Sequence, residues 1–403
     1  MTAPPLANIL PTLILPSAEQ TLLLRAALHP HDRAREALLA WQSSVPRPTA
    51  SLARRPGGGK LLAPLLHAKH QSRSEGIDAR LLTYLRTAIV REELRSREYR
   101  RILAEVLAAI DGAGLEAILL QGAALAETVY PEPHLRHSHD IDILVRQEDL
   151  PRSAELLSRI GYSAHVQPDG PAGPAGRFVH ESGLPLALHA NLFLFHHYNT
   201  PLAEVWDRSL RTEILGATAR LLSPSDQLLH TCAHAATGWH RETLLWACDA
   251  WFVLAHRPAL DWEALLDRAE RARVHLPLQV TLGFMARELE AAVPAGILER
   301  LSFAPRHGDR LAAELALFGA WAGPGRRITH VIARAGSWRE RAFVLRWRLI
   351  PSPAALVSTG RIRTRGRSPL FYAARPVRFV GRRVRRMMSP PPRPSSGCSA
   401  PGA

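Results

Sequence analysis

LLQGAALAETVYPEPHLRHSHDIDILV, residues Leu119–Val145, is the stretch on which the fold turns. It ends in Asp140-Ile141-Asp142, two carboxylates one residue apart in an apolar run. Side chains of a strand alternate between faces, so Asp140 and Asp142 share one face and Ile141 and Ile143 the other. Two like charges side by side repel, and burying them unpaired is costly. A divalent cation relieves that repulsion, and Mg²⁺ favours such oxygen ligands together with substrate phosphates. Two solvated acids at a strand edge are the plain alternative, and the dipeptide alone does not decide.

The surrounding residues add to it. Glu116–Leu120 reads as a short apolar strand, Gly122 opens a helix over Ala123–Val129, and Tyr130-Pro131 closes it. A strand feeding a helix through glycine leaves free N–H groups at the helix start, where the dipole suits a phosphate. Pro131–His139 returns the chain to the acidic strand. A second helix follows, with Pro151 in its first turn and Gly161 just past its end. After a Pro/Gly loop over Gly170–Gly176, the strands Arg177–His180 and Leu186–His189 flank the turn Glu181-Ser182-Gly183. Ala187 and His189 then share a face. The segment is a strand–helix–strand–helix–hairpin unit.

Helical patterning occupies both flanks. Residues 18–46 read as helical, residues 45–60 as a flexible linker, and Lys60–Ala113 as helical again. The GGGK of the linker lacks the spacing of a phosphate loop. On the last helix Leu94, Tyr99, Ile102, Val106 and Ile110 are expected on one buried face. Residues 223–296 read as four helices, the first capped by Ser223 or Ser225. His230 and His234 stand one turn apart there, a spacing that serves two metal ligands or two packed rings. Asp249, in LLWACDAWF, needs a partner if buried, and a hydrogen-bonding place at a domain junction is expected of it. Cys248 reads as a small core residue.

Taken together, LLQGAALAETVYP, LRHSHDIDILV and LALH resemble the bacterial nucleotidyltransferase family grouped with the DNA polymerase β-like superfamily. LSPSDQLLHTCAHA, WACDAWFVL and the distal LFYAARPVRF extend the resemblance over roughly residues 90–370. The resemblance implies an α+β fold: a small polymerase-β-like core with a mixed sheet, flanked by N-terminal and C-terminal helical regions. The corresponding segments are 1–112 (helical), 113–215 (nucleotidyltransferase core), 216–325 (helical domain) and 326–403 (basic tail, disordered at its end). By the resemblance, Asp140 and Asp142 are the catalytic metal-binding pair, and Gly122 with Ala123 lies against a triphosphate. Arg136 reaches phosphate, and His189 is the histidine of the later strand. The implied reaction moves a nucleotidyl group from a nucleoside triphosphate, with Mg²⁺, to an acceptor the sequence does not name.

Three departures stand out. Ala123 replaces the small hydroxyl or glycine that follows the turn glycine. Gln121 stands where the family often has Lys. Most consequential, the third carboxylate of the pattern, two residues before His189, is Ala187, which neither binds metal nor accepts a proton. Glu181, at the hairpin turn, is the nearest substitute. The expectation is therefore a weakened nucleotidyltransferase, or a non-catalytic nucleotide-binding descendant of one.

Charge is uneven. Of 51 Lys and Arg against 36 Asp and Glu, residues 326–393 hold 18 Arg and a single acid, Glu340, leaving 33 against 35 elsewhere. The +15 net charge thus belongs to the tail, and arguments from charge to anionic partners apply there. Arg interleaved with Trp347, Phe371, Tyr372 and Phe379 suits an anionic membrane surface better than nucleic acid, with a solvated extension as the plain reading. No run reaches the roughly 18 apolar residues of a spanning helix. The proline-broken N-terminus lacks a basic leader, and the three cysteines show no paired pattern. These point to a cytoplasmic protein, with attachment to the inner face of the membrane open beside it.

Overall fold

The computed structural model describes residues 10–11, 14–54, 59–165, 175–193, 195, 198, 200–237, 244–256 and 260–302, with residues 317, 338, 341, 342 and 345 singly. The basic tail, 326–393, lies outside the described residues apart from those last positions.

The N-terminal helical region is more divided than its periodicity predicts. Helix α1 (Ala18–Leu28) starts in a capping box between Ser17 and Gln20. Pro30 separates it from α2 (His31–Ser44), because proline offers no N–H and its ring obstructs the preceding turn. The stretch expected to be a linker holds α3 (Pro48–Ala53) and a 3-10 turn at Gly59–Leu62. Leu52 and Leu62 are fully buried, so it is part of the core. Then come α4 (Ala63–His70) and α5 (Ala79–Gly112), the latter capped by Asp78, whose carboxylate accepts from Leu81 N at 2.8 Å.

On α5, Tyr99, Ile102, Val106 and Ile110 are buried as expected, but Leu94 is 61% exposed. At about 100° per residue, Leu94 stands about 140° from Tyr99 and about 160° from Ile110. It therefore falls outside the stripe those residues form.

The sheet follows. Strand β1 (Ala117–Leu119) feeds α6 (Gln121–Thr128), and β2 (Ile141–Val145) carries the acidic pair's second member. Helix α7 (Leu150–Arg159) leads to β3 (Tyr162–Ala164), and β4 (Gly176–His180) and β5 (Pro185–His189) form the expected hairpin. After α8 (Leu202–Arg208) comes a second hairpin, β6 (Leu210–Ile214) and β7 (Ala217–Leu221), which the sequence reading lacks. Leu215 and Gly216 turn it, both at positive φ (53° and 82°), as a two-residue primed turn requires. The order is β3-β4-β5-β2-β1-β7-β6, with β2–β5 and β1–β7 parallel and the other pairs antiparallel. This is the mixed sheet of an α+β fold.

Helices α9 (Pro224–Thr237), α10 (Leu245–His256), α11 (Trp262–Arg271), α12 (His275–Glu288) and α13 (Ala295–Ser302) complete the described chain. At the start of α9, Ser223 Oγ accepts from Asp226 N and donates to its carboxylate.

Three apolar cores hold these layers. The inner residues of β1 and β2 (Leu119, Ile141, Ile143, Val145) pack under the C-terminal half of α5 and Leu157 of α7. Ile118, Leu120 and Leu144 face the opposite way, onto Val205, Trp206 and Leu222. In the third core, N-terminal Leu24, Leu38 and Trp41 meet Leu228, Leu278 and Met285 of the later helices. The two helical regions thus share one core, and each such fully buried side chain stabilises it by about 1.5–3 kcal/mol. At its edge Arg25 pairs with Glu288, Arg33 with Glu290, and the His29 ring meets Leu289 O at 3.2 Å.

Candidate active site

Asp140 and Asp142 open onto the side of the sheet that faces α9 and α10. Asp140 immediately precedes β2 and its side chain is one-third exposed, whereas Asp142 is buried in the strand. Their backbones are fixed: Tyr99 Oη donates to Asp140 O at 2.9 Å, and Leu120 N donates to Asp142 O at 3.0 Å. His139 Nε2 lies 3.7 Å from Asp140 Oδ2.

The parallel pairing of β2 with β5 sets Asp142 opposite Ala187 and Leu144 opposite His189. His189 reaches back along the strand, its Nε2 lying 2.7 Å from Asp142 Oδ1. Burial pushes the Asp142 carboxyl up, but the His189 hydrogen bond and the nearby His189, His234 and His230 rings outweigh it, leaving its pKa below the usual carboxylate range. An ionised carboxylate only accepts, so the His189 ring donates. Glu181 does not replace the missing acid. It is exposed, with its carboxyl beside Gly161 next to edge strand β3, three strand spacings or about 14 Å from β2.

At the start of α6, Gln121 adopts φ +47°, and no side chain caps the helix. A non-glycine residue held there costs about 1–3 kcal/mol, a strain that functional turns tolerate. Gly122 is required for a different reason. A Cβ at this position would lie 2.1 Å from Arg136 Nη1 and 2.8 Å from its Cζ. The guanidinium packs directly against the turn.

Arg136 is held from across the molecule. Its Nη2 and Nε donate to Asp249 of α10 at 2.9 and 3.3 Å, and Tyr130 Oη donates to the same carboxylate at 2.7 Å. Its Nη1 donates to His137 O at 2.9 Å and reaches Ser138 Oγ at 3.4 Å. Burial lowers the Arg136 pKa, and the Asp249 charge more than compensates, so the net direction is upward and the side chain stays charged. Asp249 has its expected junction partner, and the approach loop is further tied to α5 by His137 and Glu92 at 2.9 Å.

Between sheet and helices lies a cleft of about 670 Å³, mouth included. Polar Gln121, His139 and Asp140 and apolar Leu125, Leu245 and Trp246 all line it. His230 and His234 border it too, with ring centres 6.0 Å apart. Burial, aided by the charges of His234 and His189, pushes the His230 pKa down to about 3, so its ring is neutral. Among the described residues no group of three or more His, Cys, Asp or Glu side chains is arranged to hold a metal. The donor set therefore does not fit a two-metal centre. Asp140 and Asp142 are the hard-oxygen donors present, and a cation there would need phosphate and water oxygens to complete its shell.

A family model described as "Uncharacterised nucleotidyltransferase" matches residues 59–289, more than half of the chain. The match begins before the resemblance read from the motifs and ends well short of residue 370. Among solved structures, an antigenic nucleotidyltransferase-like protein from Paracoccidioides brasiliensis is 12% identical. It covers 51% of this chain and 98% of its own, at a TM-score of 0.35. No curated protein matches the sequence.

Proposed function

Because the chain belongs to the family of uncharacterised nucleotidyltransferases, we propose that its cleft binds a nucleoside triphosphate and transfers the nucleotidyl group, slowly, to an acceptor. The observation that carries this is the meeting of Asp140 and the uncapped start of α6 in one cleft, with Asp142 buried two residues on in β2. The first N–H groups of α6 and the helix dipole receive phosphate oxygens. Mg²⁺ bound by Asp140 and Asp142 would neutralise phosphate charge. Arg136, clamped by Asp249, fixes the turn.

In the reaction an acceptor oxygen bonds to the α-phosphorus, the bond to the β-phosphate oxygen breaks, and pyrophosphate leaves with its electron pair. The acceptor's proton goes to solvent, since Ala187 offers no base. Losing a positioned base typically costs 10²–10⁴-fold, roughly, in rate. Ala187 beside Asp142 also favours a second reading, nucleotide binding without transfer.

Calorimetry with nucleoside triphosphates, with and without Mg²⁺, tests the binding. Mg²⁺-dependent binding in the wild type, lost in Asp140→Asn and Asp142→Asn, is expected; no such binding in the wild type would refute both readings. Pyrophosphate release across an acceptor screen separates them.

A further inference from the structure

The outward face of α5 is unlike the rest of the described surface. Val90 and Leu94, one turn apart, are 50% and 61% exposed, two of the few large aliphatic side chains left so open. Around them on the same face stand Arg80, Arg86, Arg91 and Arg97, all exposed. At about 100° per residue, Arg86 and Arg97 fall within about 60° of the line through Val90 and Leu94, with Arg80 and Arg91 on its flank. Among the described residues none of these four makes an ion pair, whereas Arg101, one turn further on, is held between Glu98 and Glu105. Between Arg80 and Arg97 the acids are Glu92, which is buried, and Glu93, on the flank opposite Arg91 and 3.9 Å from His134; Glu98, held by Arg101, bounds the face.

We infer that this face of α5 docks on an anionic membrane surface, with Val90 and Leu94 entering the headgroup–acyl boundary and the arginines on lipid phosphates. An aliphatic centre within a basic rim is the pattern of an interfacial helix. The opposite face of α5 is committed to the protein's own cores, so the helix lies on the surface and does not enter it. Charge argues against the chain's own basic tail as the occupant, since 18 Arg and one Glu would meet four unpaired arginines. Nucleic acid fits less well, because phosphates need no aliphatic centre and the face offers no aromatic ring for a base. The docking does not depend on nucleotide turnover.

The test is flotation of the full chain with vesicles of phosphatidylcholine and phosphatidylglycerol, against phosphatidylcholine alone, without nucleotide. Flotation only with the anionic vesicles is expected, weakened at least about tenfold in Arg86→Glu/Arg97→Glu. An environment-sensitive fluorophore on Leu94→Cys, in a Cys398→Ser background, is expected to shift to the blue when those vesicles are added. Cys232 and Cys248 are buried and do not compete for the label. No flotation overturns the inference. So does flotation with an unshifted fluorophore and an unchanged charge-reversal variant, which would place the contact elsewhere on the chain. A shift produced by RNA but not by vesicles overturns it in favour of nucleic acid.

Discussion

Asp142 and Ala187 are direct neighbours across the parallel pairing of β2 and β5. A carboxylate at 187 would stand beside Asp142 on the cleft side of the sheet, where the third acid of a two-metal centre belongs. Ala187→Asp is therefore expected to raise Mg²⁺-dependent pyrophosphate release by about 10²–10⁴-fold. Isotope-labelled triphosphate and a single-turnover assay would measure it. An unchanged rate would mean that the chain lost more than one acid.

Gly122 offers no room for a side chain. Gly122→Ala drives its methyl into the Arg136 guanidinium, which is pinned on its far side by Asp249. Overpacking of this kind costs about 1–3 kcal/mol. The expected result is a lower midpoint in urea and weaker triphosphate binding, since the turn or the arginine has to move.

Asp249→Ala leaves Arg136 charged and buried without its partner. Removing one member of a buried pair costs about 3–5 kcal/mol. Tyr130→Phe removes a single hydrogen bond to the same carboxylate and is expected to cost about 1 kcal/mol. Denaturant unfolding of the two variants, compared side by side, should give that ranking.

His230 makes the fold acid-sensitive. Its folded-state pKa is pushed down to about 3 from 6.5, so the unfolded chain takes up a proton that the folded chain refuses. Its contribution is full above pH 6.5 and is lost as pH falls toward 3, by about 1.4 kcal/mol per pH unit. Unfolding free energies of wild type and His230→Gln between pH 7 and 4 should diverge by roughly this slope, the variant being the flatter.

The sequence told most where structure is local. The Gly122 turn, the acidic strand and the 177–189 hairpin stand in one short span, each with its own turn residues and periodicity. Helices after residue 223 announced themselves by cap and pattern. Hairpin β6–β7 did not, because its turn places Leu215 rather than Asn or Asp at a positive φ, and β7 earns its place by pairing with β1, far away in sequence. Arg136 was legible as a charge near the acids but not as Asp249's partner, since 113 residues separate them. The shared core of the first and last helices was hidden for the same reason: amphipathic faces show that something is covered, not by what.

Helix α5 contributes Leu81, Leu85, Ala88 and Ile89 to the helical core and Tyr99 to Ile110 to the core beneath the sheet. Between Ala79 and Asp111 it contains neither proline nor glycine, the usual seats of a kink. A rod anchored at both ends acts as a strut. The sheet and the helices cannot swing apart by bending it, and the buried pair of Arg136 with Asp249 braces the other side. The cleft is thus braced on two sides, by a continuous helix and by a buried ion pair.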